Sequence, residues 1–339
     1  MAVSTNAPRS AALAGARRGR RIDVHYHALP EASRDWVIKK GWLDPAKPET
    51  WPRWAQWTLD DALKVMDANG IAVGVASLPL ASEFLKERAL AAEATRVFND
   101  SMADLVKSHP RRFGHFAYLP VSHVDLARAE AVRALDELGA DGVLLMAHAA
   151  DGTYLGDRAF DPLFAELDRR RAVVLVHPSW LPGEFEKRAV PALDSWVADY
   201  MLDTTRAALN MIATGTLARF PNVSIILSHA GGFLPYAAGR AQLAGRLGEG
   251  PRPADVERAL ARFYYDTAQP MSPYATPSLL NAAGAGRILF GSDYPAVPAT
   301  ELPTLVTALE RDKTLTPADR LRIDRTNALH LLPRLATRL

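Results

Sequence analysis

"RIDVHYH", residues 21 to 27, is an apolar run that ends in two histidines spaced two apart. Side chains alternate along an extended strand, so His25 and His27 face one way and Tyr26 the other. Two imidazoles on one side can reach a common ion. Whether the pair is half of a metal site depends on what the other strands carry at the same level.

Seven more such runs follow: IAVGVASLP (71–79), FGHFAYLP (113–120), GVLLMAH (142–148), AVVLVHP (172–178), VSIILSHAGG (223–232), FYYDTA (263–268) and RILFGSDYP (287–295). Their near-continuous apolar character suits strands buried on both faces of a parallel sheet. The intervals read as helices. "TLDDALKVMDANG" opens on Thr58 as N-cap, carries acids in its first turn and closes at Gly70. "VDLARAEAVRALDELGADG" stops at Gly139, "FDPLFAELDRRR" ends on cations that suit the helix dipole, and "LDTTRAALNMIATGTLARFP" is a further helical stretch. Eight strands alternating with helices predict an α/β protein with a (β/α)8 TIM barrel.

The chain has 339 residues, and its 40 basic and 38 acidic residues leave a formal charge of +2. That balance gives no general pull toward nucleic acid or membrane. No apolar run approaches the roughly 18–20 residues of a membrane span. Without a single cysteine, disulfides, thiolate metal sites and cysteine nucleophiles are excluded, and a cytoplasmic protein is expected. Residues 1–20, rich in small residues and arginine, read as a flexible N-terminal tail. Residues 21–339 read as one catalytic domain with an insertion at about 31–57. That insertion holds Trp36, Trp42, Trp51, Trp54 and Trp57, five of the seven tryptophans, and is expected either to form a small surface cluster or to cover the barrel mouth as a lid.

Catalytic groups of such barrels sit where the strands run out at the C-terminal face. Strand one ends in His25 and His27, strand five in His177, strand six in His229, and strand eight in Asp293. Of the nine histidines, His109, His123 and His330 read as ordinary packed or surface residues. Nitrogen and carboxylate donors without thiolate suit Zn²⁺, and also Mn²⁺ or Fe²⁺. "GVLLMAH" and "AVVLVHP" contain no lysine for a bridging carbamate, which argues for one metal ion rather than two.

"DVHYHALP", "VHP", "SHAGGFLPYAAGR" and "GSDYP" together resemble the amidohydrolase superfamily, and within it the decarboxylase branch of aminocarboxymuconate semialdehyde, resorcylate and 6-methylsalicylate decarboxylases. The resemblance runs from residue 21 to about 335, and "LDTTRAA" and "YYDTA" bring it closest to the 6-methylsalicylate group. It implies that His25, His27, His177 and Asp293 bind a divalent metal, Zn²⁺ first and Mn²⁺ second, with His229 as the acid–base residue. It implies a homodimer or higher homo-oligomer in which Arg240 reaches a substrate carboxylate across the interface. Arg53 stands near, but out of register with, a second substrate-binding arginine of the semialdehyde decarboxylase, which counts against that exact substrate. Arg53, Trp57 and His148 are the remaining substrate-binding candidates, whereas Asp203 and Arg206 read as structural partners.

The implied reaction is non-oxidative decarboxylation of a small aromatic, salicylate-like acid or a related unsaturated acid. In that scheme Asp293 is also catalytic, moving the proton to the ring carbon with His229. The same residues suit metal-assisted hydrolysis of a lactone or amide, which the ligand set alone leaves open. A barrel kept only as a metal-binding scaffold would lack a proton-transfer residue, and His229 and Asp293 are both present.

Overall fold

Each of the eight apolar runs contains a strand. The computed structural model describes residues 21–184, 192–269 and 272–339, so the expected N-terminal tail lies outside the described residues. The strands are β1 (Arg21–His27), β2 (Ile71–Ser77), β3 (Phe113–Tyr118), β4 (Gly142–Met146), β5 (Val173–His177), β6 (Ser224–Leu227), β7 (Tyr264–Asp266) and β8 (Ile288–Leu289). They form one sheet in the order β1 to β8, every neighbouring pair parallel. The sheet curls until its last strand meets its first. Val24 N donates to Phe290 O at 2.9 Å, Asp293 N to His25 O at 2.8 Å and His27 N to Tyr294 O at 2.7 Å. This is a nearly closed (β/α)8 barrel.

Strands β6 and β8 are shorter than their apolar runs. The backbone turns left-handed at His229 (φ 53°) and Ala230 (φ 56°) after β6, and at Asp293 (φ 58°) after β8. A left-handed residue cannot continue a pleat, so β6 ends just before His229, whereas beyond β8 the chain runs on through Phe290, Gly291 and Ser292 before it turns at Asp293. Gly232 (φ 62°) completes the first turn, and a Cβ there would lie 2.2 Å from Met201 O.

Helices fill the intervals. Thr58 caps Leu59–Ala68 by accepting a hydrogen bond from Asp61 N at 3.2 Å. Val124–Asp136, Asp161–Arg169 and Asp199–Ala213 follow the expected stretches. The longest helix, Arg88–Ser108, buries Ala91, Ala94, Phe98, Met102 and Leu105 at three- and four-residue spacing against the strands. At the opposite end from the histidines, Arg338 ties the C-terminal segment to the starts of β3 and β4. It donates to Phe113 O at 3.0 Å and to Asp141 Oδ2 at 2.7 Å.

The tryptophan-rich stretch is structured. It contains a helix, Glu31–Lys39, and two short 3-10 turns, Pro48–Thr50 and Arg53–Gln56. Trp36 packs edge-on to Phe98, with ring centroids 5.3 Å apart, and donates from Nε1 to Glu93 Oε1 at 2.9 Å. Trp57 is buried in the main core, and Trp42, Trp51 and Trp54 are half-buried against it. Rings of Trp42, Phe84, Trp180 and Tyr200 form a row, at centroid spacings of 5.2, 6.5 and 6.4 Å, that joins this stretch to the loops after β2 and β5. No helix among the described residues is long and apolar enough to cross a membrane.

Candidate metal centre and active site

The barrel brings all five strand-end groups together. Donor atoms of His25, His177, His229 and Asp293 all lie within 4.8 Å of one another, and all four side chains are buried. His27 joins them, with its Nε2 3.2 Å from His25 Nε2 and 3.0 Å from Asp293 Oδ1. The inward alternation of β1 is carried to β2 by register, since His27 pairs with Ser77.

Partners outside the cluster fix the tautomers of three histidines. His25 Nδ1 donates to Asp266 Oδ2 at 2.7 Å. His177 Nδ1 donates to Pro178 O at 2.8 Å. Ser77 Oγ gives its own proton to Tyr26 O at 3.3 Å and so accepts from His27 Nδ1 at 3.1 Å. Each imidazole thereby presents Nε2 to the cluster, the arrangement in which a metal-binding histidine is held by an outer hydrogen bond. His229 differs. Neither of its nitrogens has a hydrogen-bond partner among the described residues, and its Nε2 lies 3.5 Å from Asp293 Oδ2.

The donor set calls for a cation. His177 Nε2 is buried without a partner among the described residues. Two Nε2 atoms 3.2 Å apart, both beside one carboxylate oxygen, repel each other unless positive charge sits among them. Burial lowers the pKa of His25, but Asp266 and Asp293 outweigh it and carry the group up to about 10. Burial, then neighbouring imidazoles, holds His177 well below its ordinary value, in the neutral form that ligation requires. Burial pushes Asp293 up, yet the charge of His25 and the imidazoles gathered around the carboxylate keep it well below the usual carboxylate range. A neutral-histidine and carboxylate set fits one divalent metal ion.

Backbone strain gathers here. Of the five described non-glycine residues with positive φ, four are His229, Ala230, Gln269 and Asp293, the fifth being Arg171. Such conformations cost on the order of 1–3 kcal/mol each and persist where surrounding structure over-determines them.

The remaining sequence candidates are placed differently. His148 is fully buried, and both its nitrogens meet main-chain carbonyls, Ala149 O and Trp180 O, each at 2.9 Å. That geometry ties the β4 and β5 loops together and turns the ring from the substrate contact expected of it. Arg53 is exposed and donates to Ala296 O at 3.2 Å, bridging the tryptophan-rich stretch to the loop after β8. Arg240 is exposed on the outer helix Leu234–Arg246. Asp203 accepts from Tyr154 Oη at 2.8 Å and Ser179 N at 3.0 Å, a structural role.

Three polar groups around the cluster fall outside the strand-end set read from the sequence. Asp266, Ser77 and Gln269 contact His25, His27 and Asp293, and Gln269 Nε2 donates to Asp293 Oδ2 at 2.9 Å. An aspartate inside "FYYDTA" is conspicuous in an apolar strand, and that was the one signal available for Asp266.

Residues 22–334 match the amidohydrolase family. The chain is 34% identical over 327 residues to the decarboxylase yanB of Aspergillus niger, covering 93% of this chain and 88% of that one. It is 34% identical over 332 residues to the 6-methylsalicylic acid decarboxylase acuB of Aspergillus aculeatus, covering 93% and 96%. Among solved structures, a 2,6-dihydroxybenzoate decarboxylase complexed with 2,6-dihydroxybenzoate superimposes with a TM-score of 0.78 at 25% identity, covering 93% of this chain and 99% of that one. The chain belongs to the amidohydrolase family.

Proposed function

We propose that residues 21–339 act as one catalytic unit that removes carbon dioxide, without oxidation, from a small salicylate-like hydroxybenzoate. The chain is a carboxy-lyase of the amidohydrolase superfamily. The carrying observation is the division of labour among the histidines: His25, His27 and His177 have Nδ1 engaged, while neither nitrogen of His229 makes a hydrogen bond among the described residues and its Nε2 lies 3.5 Å from Asp293 Oδ2. Lactone or amide hydrolysis is not favoured, because the similar proteins are decarboxylases.

His25, His27, His177 and Asp293 hold the metal, Zn²⁺ first and Mn²⁺ second. A divalent ion bound there supplies a Lewis acid for the substrate carboxylate and its neighbouring phenol oxygen. Asp293 spans the two halves of the site, with Oδ1 toward His25 and His27 and Oδ2 toward His229 and Gln269. Asp293 and His229 together deliver a proton to the ring carbon that carries the carboxylate. The bond to the carboxyl carbon then breaks, its electrons restore the aromatic ring, and carbon dioxide leaves. Trp57, Arg53 and the row of rings from Trp42 to Tyr200 wall the mouth and keep water from the flat substrate.

The enzyme works in the cytoplasm as a homodimer. Supporting the dimer, the outer helix carrying Arg240 displays an apolar stripe of Phe233, Tyr236, Leu243 and Leu247, exposed by 40, 84, 50 and 63%. A second copy covers that stripe and brings Arg240 to the neighbouring site. Metal-loaded protein incubated with substituted salicylates and with lactones tests the assignment. Carbon dioxide release is expected; ring opening of lactones with no carbon dioxide from any acid would sink it.

A further inference from the structure

Asp266 contacts two of the five clustered groups, although β7 supplies none of them. Its carboxylate is fully buried. Oδ2 accepts from His25 Nδ1 at 2.7 Å, and Oδ1 accepts from His229 N at 2.8 Å and Ala268 N at 3.0 Å. The first bond crosses a strand, for β8 lies between β7 and β1 in the ring. It can cross because β8 continues into Gly291, where a Cβ would stand 2.8 Å from His25 Cβ and 3.1 Å from Asp266 Cβ.

We propose that Asp266 is the positioning residue of the site, one oxygen holding His25 with its Nε2 lone pair toward the metal and the other holding the left-handed turn that aims His229. The inference rests on the proposed metal-dependent function and deepens it. Both oxygens are needed as acceptors, and that makes the role testable by an isosteric change. In Asp266→Asn a single oxygen remains. Two main-chain N–H groups compete for it on one side, which leaves the amide NH₂ facing His25 Nδ1. The imidazole then accepts at Nδ1 and carries its proton on Nε2, where the lone pair was. The side chain keeps its volume, so the core around it is undisturbed.

The experiment measures divalent metal affinity, using Zn²⁺ in competition with a chromogenic chelator, for wild type and Asp266→Asn, with circular dichroism as the check on fold. Affinity is expected to fall by about 10–100-fold in the folded variant, the usual effect of losing a histidine's outer partner. A second measurement needs no variant: ¹⁵N spectra of zinc-loaded, histidine-labelled wild type should show His25 protonated at Nδ1 and not at Nε2. Equal Zn²⁺ affinity in wild type and folded Asp266→Asn would overturn the role of Asp266 while leaving the metal site standing. So would a His25 Nε2–H in the wild-type spectrum, which decides the matter should the variant not fold. Wild type that holds no Zn²⁺ or Mn²⁺ would instead overturn the functional reading itself.

Discussion

His177 Nδ1 donates to the carbonyl of its own neighbour, Pro178, at 2.8 Å, and this local bond turns Nε2 into the barrel, where it has no partner among the described residues. Removing the ring removes a donor and leaves the main chain untouched. His177→Ala is therefore expected to fold and to lose bound metal by more than the roughly 10–100-fold that loss of an outer partner costs. Metal analysis after gel filtration checks it; a stoichiometry equal to wild type would remove His177 from the ligand set.

His229 should separate from the ligands in the same assay. With no hydrogen bond at either nitrogen among the described residues and Asp293 Oδ2 3.5 Å from Nε2, it is the group placed to pass a proton. His229→Gln is expected to keep its metal while kcat falls about 10²–10⁴-fold, the usual contribution of general acid–base catalysis. Loss of metal along with activity would make it a ligand instead.

Asp293 belongs to both functions. Asp293→Asn keeps one oxygen but loses the charge beside His25 and His27, 3.3 and 3.0 Å from Oδ1, and cannot both keep an oxygen there and accept from Gln269 Nε2 at 2.9 Å on the other side. Turnover should fall by at least about 10²-fold, with an unchanged circular dichroism spectrum. Activity within a few fold of wild type would end its role in proton transfer.

Gly232 bears on stability. At φ 62°, with Met201 O 2.2 Å from any Cβ, alanine meets both strain and a clash. Gly232→Ala should cost at least about 2 kcal/mol in denaturant unfolding, because Met201 O is backbone and cannot swing aside. An unchanged midpoint would show that the turn relaxes freely.

Asp203 supplies a pH dependence away from the metal. Burial, opposed by His148 and by hydrogen bonds, raises its pKa from 3.8 to about 6. Its folded-state pKa exceeds its unfolded value, so its stabilising proton is fully present below about pH 4 and is lost as pH rises through about 6. The unfolding free energy of wild type minus that of Asp203→Asn should decline across that window. A flat difference would show that the carboxylate is already ionised there.

Much of this could be read from the chain because it is written locally. A strand buried on both faces must be apolar along its length, and a functional side chain at its end interrupts that run visibly, as His177 does after "VVLV". The outer partners are not local. Asp266 meets His25 across 241 residues, and Ser77 meets His27 across 50, through the curvature of the sheet rather than through any spacing. His148 shows the opposite limit: it ends an apolar run like the ligands do, yet the β4 and β5 loops fold back to occupy both its nitrogens. Strand ends nominate candidates, and only the loops decide which way they face.

The junction between β8 and β1 has a consequence for the order of folding. His25 and His27 are made long before Asp293, and Ser292 N reaches back over 269 residues to Asp23 Oδ1 at 3.0 Å. A nascent or truncated chain lacking the last strand carries imidazoles but not the carboxylate that gathers them. Metal loading is thus a late event, and an ion lodged at that junction joins the two ends of the barrel like a clasp. Chelation should first loosen the place where the ring was last closed.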